Sequence, residues 1–153
     1  FHVIDDDFFI NIKRVNEIMR LVLERGLDIR IGLQGIRIDE MARIPDESLE
    51  LLEQAGARFL QFGVESGSQR VLDGMKKRIT VEQVIAVNRR LAKYPRIIAF
   101  YNFMCGLPGE TDEDLFKSTH LAMRLLDENP NAYISPFYLY KPYAGTDLYE
   151  EVK

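Results

Sequence analysis

The sequence predicts an α/β protein in which about five parallel strands alternate with helices. Five short apolar runs are each followed by a segment with helical periodicity or helix-start signals, and the runs begin roughly 30 residues apart. That separation leaves room for a crossover helix between parallel strands. Because a closed eight-unit barrel takes about 250 residues, a chain of 153 residues is expected to form part of a barrel or an open sheet.

The strands are expected where apolar residues form continuous runs of the length of a buried strand. These runs cover residues 1–4, 29–33, 59–64, 97–104 and 133–140.

Helices between the strands are indicated by their ends. Gly26 ends the first helix, whose apolar residues recur at helical spacing from residue 12 onward. Ser66 and Thr80 are each followed three residues later by a glutamine, which is the spacing of a capping box. The expected N-caps and helices are Asp46 for residues 46–55, Ser66 for about 68–75, Thr80 for about 80–93 and Thr111 for about 111–127. The tail, residues 142–149, reads as a turn followed by the start of another helix.

Composition sets limits on the class of protein. Hydrophobic residues make up 46% and charged residues 29%, the net charge is −4, and no basic cluster stands out. These values are typical of a soluble globular domain and argue against nucleic acid as the main partner. No run of about 18 apolar residues predicts a membrane span, and no signal peptide is evident. A single cysteine excludes internal disulfides and fits a cytoplasmic location.

The chain is expected to be one domain over residues 1–153, and to be a piece of a longer protein. It opens without Met and already within a strand-like run. We therefore expect that a preceding segment is absent.

Three adjacent carboxylates, Asp5, Asp6 and Asp7, follow the first predicted strand. Like charges this close repel one another unless a cation, an ammonium group or hydrogen-bond donors face them. They could hold a divalent metal or a cationic ligand. They could equally form a solvated turn that caps the following helix.

Polar residues also follow the second and third predicted strands. Arg37 could bind a carboxylate or phosphate through its planar fork, or it could pair with Asp39. Glu65 ends a buried strand and needs a partner. A carboxylate is a recurrent acceptor for the two hydroxyls of a ribose, although Glu65 could instead pair with Lys76 or Lys77.

A glycine-rich loop, residues 106–109, follows the fourth predicted strand and leads into the helix that Thr111 starts. Glycines have no side chain, so their backbone can approach a flat ligand closely. Ligands in α/β folds bind at the loops that connect the ends of strands to the following helices. The alternative is a turn that binds nothing.

Taken together, these strand ends resemble the radical S-adenosylmethionine (radical SAM) superfamily, in particular the group whose members often carry an N-terminal cobalamin-binding domain. The matching stretches occur in the family's order over nearly the whole chain. They are Asp5-Asp6-Asp7-Phe8 with Arg14, Arg37-Ile38-Asp39, Gly63-Val64-Glu65-Ser66-Gly67-Ser68-Gln69 with Leu72 and Lys77, Gly106-Leu107-Pro108-Gly109-Glu110-Thr111, and Pro142-Tyr143-Ala144-Gly145-Thr146 with Leu148 and Tyr149.

The resemblance implies a partial TIM-like barrel of six (βα) units, of which this chain holds strands two to six. It implies SAM bound across the strand ends, with Asp5 or Asp6 at its amino group, Arg37 at its carboxylate, and Glu65 with Ser66 at its ribose. The loop formed by Gly106, Pro108, Gly109 and Glu110 would lie by the adenine, although Glu110 could only tie down its own loop. The family's 4Fe–4S cluster is held by Cys-x3-Cys-x2-Cys, a motif that this chain lacks.

The resemblance also implies an activity. The parent protein would be an Fe–S oxidoreductase that splits SAM and uses the 5′-deoxyadenosyl radical to abstract hydrogen from an unidentified substrate. Its electron donor would be a flavodoxin or ferredoxin, and cobalamin is a further possible cofactor. The isolated chain would be inactive. We expect the three missing cysteines roughly 30 to 50 residues before Phe1, one βα unit and a loop upstream.

Two other functions remain open from the residues alone. A haloacid dehalogenase-type phosphohydrolase would use Asp5 as nucleophile and Asp7 as acid with magnesium. It also needs a later strand that ends in paired aspartates, and no predicted strand does. A scaffold domain without chemistry is the second alternative.

Overall fold

The computed structural model describes residues 1–5, 7–145 and 149 and contains one parallel sheet. The strands lie in the order in which they occur in the chain. They are β1 (His2–Val3), β2 (Ile31–Ile36), β3 (Ala57–Glu65), β4 (Ile98–Cys105) and β5 (Ala132–Leu139). A doubly wound sheet would reverse its strand order at a switch point, so the sequential order is that of a barrel segment.

The helices follow the strands, as the alternating pattern predicts. They are α1 (Ile12–Glu24), α2 (Ile38–Met41), α3 (Asp46–Gln54), α4 (Gln69–Gly74), α5 (Val81–Leu91) and α6 (Asp112–Glu128), with a 3-10 turn at Phe8–Ile10. Capping boxes start α5 at Thr80 and α6 at Thr111, which confirms both predicted helix starts. Within the described part of the chain, no helix is long and apolar enough to cross a membrane.

The core lies between the sheet and the helices. Along β3 and β4, alternate residues are buried, and Leu60, Phe62, Val64, Tyr101 and Phe103 are fully enclosed. The residues between them point to the opposite, concave side, because successive side chains of a strand face opposite ways. This one-sided cover confirms the predicted partial barrel.

Several local predictions were wrong. Strand β2 starts two residues later than expected and continues three residues beyond the predicted end, to Ile36, across a register shift beside β3. Strand β1 has only two residues. The turn at residues 8–10 and helix α2 were not predicted, since both are too short to show a period. In the predicted turn of the tail, only residues 144–145 form a turn, and Thr146 and Leu148 lie outside the described residues.

Two predicted caps also differ. Pro45, not Asp46, is the N-cap of α3. Ser66 and Gln69 form no capping box, because the Gln69 amide instead accepts a hydrogen bond from the Val81 backbone and donates to Asp73. The glutamine thus ties α4 to the start of α5.

Candidate functional site

A cavity of about 430 Å³ opens at the carboxyl ends of β2, β3 and β4. This is the end of a parallel sheet at which ligands bind in α/β folds. The charged and amide side chains that line it include Arg37, Asp39, Gln61, Glu65, Lys77 and Asn102. The predicted site residues Arg37 and Glu65 therefore share one cavity.

Glu65 reaches this cavity through an unusual backbone. Its φ is +71°, in the left-handed region, and the β3–β4 register shifts between Gly63 and Glu65. The carboxylate consequently folds back over its own strand. A Cβ atom on Gly63 would lie 2.5 Å from Glu65 Oε1, so the carboxylate position requires glycine at residue 63.

Lys77 holds one oxygen of that carboxylate. Its Nζ donates a hydrogen bond of 2.8 Å to Glu65 Oε1, and the two side chains are 31% and 16% exposed. The Glu65 carboxylate and Lys77 both line the cavity, so a ligand that enters it meets this pair. The pairing with Lys77 was one of the two alternatives that the sequence left open.

Arg37 forms a bidentate pair with Asp39, again the alternative that its sequence allowed. Its Nε and Nη2 donate to the two carboxylate oxygens over 3.0 and 3.1 Å. Burial alone would raise the pKa of Asp39, but the hydrogen bonds and charge of Arg37, with Arg43 beyond, bring that pKa below its ordinary value. Since the Arg37 side chain is half-exposed at the cavity, its guanidinium can also meet an anionic group.

The loop after β4 is braced by its own acidic residue. Glu110 Oε2 accepts hydrogen bonds from the backbone N–H groups of Gly106, at 2.6 Å, and Leu107, at 3.4 Å. This confirms that Glu110 ties down its loop. Gly106 and Gly109 both have positive φ. The loop does not line the cavity, so cofactor contact by Gly106, Pro108, Gly109 or Glu110 stays a prediction.

A buried polar network fixes the loop that follows Glu65 to helix α6. Ser66 Oγ lies 3.1 Å from Ser118 Oγ, and the Gly67 N–H donates to the same Ser118 oxygen over 2.8 Å. Gly67 sits so close that a Cβ would lie 2.5 Å from the Lys117 carbonyl oxygen. Ser66 is therefore fully buried outside the cavity lining, and its contact with a cofactor stays a prediction.

Asp114 is the charged centre of this network. It accepts hydrogen bonds from Ser68 Oγ at 2.6 Å, from the Thr111 N–H and hydroxyl, and from Arg70, which also donates to the Gly109 carbonyl. These bonds hold the pKa of Asp114 well below its ordinary value. Through Arg70, the loop after β3 and the glycine-rich loop after β4 are held in one arrangement. Sequence reasoning missed this network, and the only signal was the Thr111-x-x-Asp114 spacing.

The acidic run after β1 is partly neutralised within the chain. Asp5 accepts hydrogen bonds from Arg14 at 3.3 Å and from the Asp7 N–H at 3.0 Å. The second bond is that of a turn, but Asn11, and not the acidic run, caps helix α1. Asp6 lies outside the described residues. Burial, and then the neighbouring carboxyl of Asp7, raise the pKa of Glu40 to about 7. Among the described residues, no group of three or more His, Cys, Asp or Glu side chains could hold a metal ion.

Comparison with known proteins identifies the family of the chain. Residues 1–122 match the radical SAM superfamily, and the chain belongs to that superfamily. It is 28% identical over 147 residues to an uncharacterized methyltransferase of Pyrococcus horikoshii, covering 96% of this chain and 30% of that protein. It is 41% identical over 98 residues to the tRNA-2-methylthio-N(6)-dimethylallyladenosine synthase of Aeromonas hydrophila, covering 61% and 20%.

The fold is shared with solved enzymes. The radical SAM methyltransferase TsrM of Kitasatospora setae, with cobalamin and a [4Fe–4S] cluster bound, superposes with a TM-score of 0.69 at 21% identity, covering 90% of this chain and 27% of that one. The chain thus spans less than a third of the relatives described above. Superfamily membership supports SAM-cleaving radical chemistry in general, whereas the haloacid dehalogenase alternative is not favoured.

The two cofactors implied by the family fit this chain differently. Glu65, folded over a glycine in the cavity lining, and the half-exposed Arg37 fit a ribose and a carboxylate, two of the polar groups of SAM. The 4Fe–4S cluster does not fit. Three cysteine thiolates are needed in the family's motif, and the whole sequence has one cysteine, Cys105.

Proposed function

We propose that this chain supplies the SAM-binding wall of a radical SAM enzyme. In this proposal, Glu65 accepts hydrogen bonds from the ribose hydroxyls and Arg37 binds the carboxylate of the methionine portion. The observation that carries the proposal is the carboxylate of Glu65, which folds over Gly63 in the lining of the cavity and is held there through Oε1 by Lys77. The cavity volume lies within the range of about 300–1,000 Å³ common for small-ligand sites.

The charges of the cavity support the same assignment. Arg37 stays cationic and is only half-exposed, so it offers a carboxylate a bidentate partner. Asp39 and Lys77 hold Arg37 and Glu65 in place before a ligand arrives. A site whose polar groups are already oriented loses less free energy on binding.

The reaction depends on groups held outside this chain. A 4Fe–4S cluster, whose cysteine ligands this chain lacks, would supply the electron for SAM cleavage, and a flavodoxin or ferredoxin would be its electron donor. The role of this chain is to position SAM and to exclude water. Asp5 or Asp6 at the SAM amino group and the loop at residues 106–110 near the adenine complete the proposed site, in a cytoplasmic enzyme.

Group transfer, rather than simple oxidoreduction, is the reaction class that the relatives support. The Pyrococcus horikoshii relative and TsrM are both described as methyltransferases, and the TsrM structure contains cobalamin. We therefore propose that the parent protein transfers the methyl group of one SAM to its substrate and releases S-adenosylhomocysteine, with cobalamin as a candidate carrier, while a second SAM is cleaved to the radical that removes the substrate hydrogen.

The test uses the protein as its gene encodes it, purified and reduced under anaerobic conditions with SAM present. We expect methionine and 5′-deoxyadenosine as products, and a second incubation with SAM labelled in its methyl group should show whether that group leaves for another acceptor. A protein that binds SAM but never cleaves it would be a scaffold. A protein that does not bind SAM would refute the proposal as a whole.

A further inference from the structure

The concave face of the sheet carries two side-chain amides below the proposed SAM position. We propose that Gln61 and Asn102 form a subsite for an uncharged, planar nitrogen heterocycle of the nucleobase type, which belongs to the substrate. This inference rests on the proposed function, because it takes the strand-end groups as the SAM site and assigns the deeper part of the cavity to a second ligand.

Asn102 provides the first observation. Its Oδ1 atom is buried and, among the described residues, has no hydrogen-bond partner. A buried acceptor without a partner is unfavourable, and this one lies in the lining of the cavity. Because Asn102 lines the cavity, we assign this oxygen a hydrogen-bond donor that enters there.

Gln61 provides a second amide on the neighbouring strand. Asn102 pairs in register with Gly63, so Gln61 lies one pleat deeper on the same face. Both side chains line the same cavity, and no described residue forms a side-chain hydrogen bond with Gln61. Each amide offers both donors and an acceptor, which matches the edge of a heterocycle with an N–H beside a ring nitrogen or carbonyl.

Aromatic rings continue this face below the amides. The centroids of Phe59 and Phe100 are 5.2 Å apart, and Phe100 stacks on Tyr133 with centroids 5.1 Å apart. The Tyr133 ring is 56% exposed. Such a row favours flat, weakly polar surfaces.

The separation of charge supports an uncharged ligand. Arg37 and Glu65 lie at the strand ends and are paired with Asp39 and Lys77. The deeper layer has amides and rings. Transfer of a charged group from water into this layer would be unfavourable, because no opposite charge faces it there. A neutral heterocycle would instead satisfy the amides.

The first measurement is saturation-transfer NMR of the gene-encoded protein with uracil and adenine, and with toluene as a ring that has no polar edge. We expect both bases, and not toluene, to bind in the millimolar range. Asn102→Leu and Gln61→Leu should each weaken base binding about 5- to 20-fold, the scale of a lost hydrogen bond. Thermal unfolding of each variant checks that it folds. If Asn102→Leu does not fold, Gln61→Leu still tests the subsite, because the Gln61 side chain has no hydrogen-bond partner among the described residues.

The same variants are then titrated with SAM beside Glu65→Gln. Weaker base binding in the amide variants, with SAM affinity within twofold of the wild type, supports the subsite. A tenfold loss of SAM affinity in both amide variants would instead assign the amides to SAM and overturn the inference. Absence of base binding also overturns it, while SAM affinity that is unaffected by Glu65→Gln counts against the proposed function alone.

Uridine and a short single-stranded RNA distinguish a free nucleoside from a base within a polymer, and binding of either supports the subsite.

Discussion

Lys77 Nζ lies 2.8 Å from Glu65 Oε1, directly above Gly63. The pair brings together the end of β3 and the turn after α4, where Lys76 and Arg78 both adopt positive φ. A left-handed backbone at non-glycine residues is uncommon and costs free energy. Three such residues around one ion pair therefore indicate that the carboxylate position matters more to this protein than local backbone preference.

Glu65→Gln tests the central contact of the site. The substitution keeps the size of the side chain but removes the charge that binds Lys77 and the proposed ribose hydroxyls. Hydrogen bonds to charged groups contribute about 1.5–3 kcal/mol, so we expect SAM to bind roughly 10- to 100-fold more weakly. Isothermal titration calorimetry under anaerobic conditions measures the effect.

The matched control is Glu82→Gln, which removes the same charge from an exposed position near the start of α5. It should leave SAM affinity within twofold of the wild type. Equal losses in both variants would mean that net charge, and not the Glu65 contact, governs binding.

Gly63→Ala tests the space that the carboxylate occupies. The added methyl group would lie 2.5 Å from Glu65 Oε1 and 3.1 Å from Lys77 Nζ. Both atoms are at the ends of side chains and can move, so we expect the protein to fold with an unfolding midpoint within a few degrees of the wild type. SAM affinity should fall about tenfold or more, because the carboxylate no longer points into the cavity.

Gly74→Ala is the control for a glycine-to-alanine change without a clash. Nothing lies within 4 Å of a Cβ at this position, and alanine favours the end of α4 by up to about 1 kcal/mol. The variant should be as stable as the wild type or slightly more so, with unchanged SAM affinity. A normal affinity in Gly63→Ala would show that the carboxylate can bind SAM from another position.

The predictable part of the fold came from local signals. Apolar runs located every strand, and the boxes at Thr80 and Thr111 located two helix starts. Strand β2 was misjudged because Gln34 and Gly35 break its apolar run, although backbone pairing with β3 continues to Ile36.

The site was only half predictable for a related reason. Strand-end position and residue type identified Arg37 and Glu65, but not which alternative partner each would take. The Gly67–Ser118 and Ser68–Asp114 contacts join residues 51 and 46 positions apart. Contacts of that separation depend on the packing of α6 against the loop after β3, and no local sequence pattern encodes them.

Asp114→Asn tests the buried network through pH. Hydrogen bonds from Ser68, Thr111 and Arg70 hold the folded-state pKa of Asp114 below its ordinary value of 3.8. As the pH falls through about 4, the unfolded chain binds a proton at Asp114 and the folded chain does not. The stabilisation that ionised Asp114 contributes is therefore present above this pH and is lost as the pH falls further. We expect the difference in the free energy of unfolding between the wild type and Asp114→Asn to shrink progressively below about pH 4.

Urea unfolding at several pH values between 3 and 7 measures this difference. Asp112→Asn is the control, since Asp112 is an exposed acid in the same helical turn. Its stability should differ little from the wild type over the whole range. A constant difference between wild type and Asp114→Asn at every pH would show that hydrogen bonding, without ionisation, explains the stabilisation.

Glu40→Gln should stabilise the protein at alkaline pH. Burial and the neighbouring Asp7 raise the Glu40 pKa from an ordinary 4.5 to about 7, despite Arg37 at 3.7 Å. Between those values the folded chain keeps a proton that the unfolded chain releases, so wild-type stability falls as the pH rises from 4.5 through 7. A glutamine is neutral throughout and avoids this loss.

Urea unfolding of Glu40→Gln at pH 8 should therefore show a gain in the free energy of unfolding on the order of 1–3 kcal/mol, with little difference at pH 4. Glu47→Gln, which changes an exposed acid of α3, should show no such pH-dependent gain. A Glu40→Gln variant that is less stable than the wild type at pH 8 would contradict the raised pKa of Glu40.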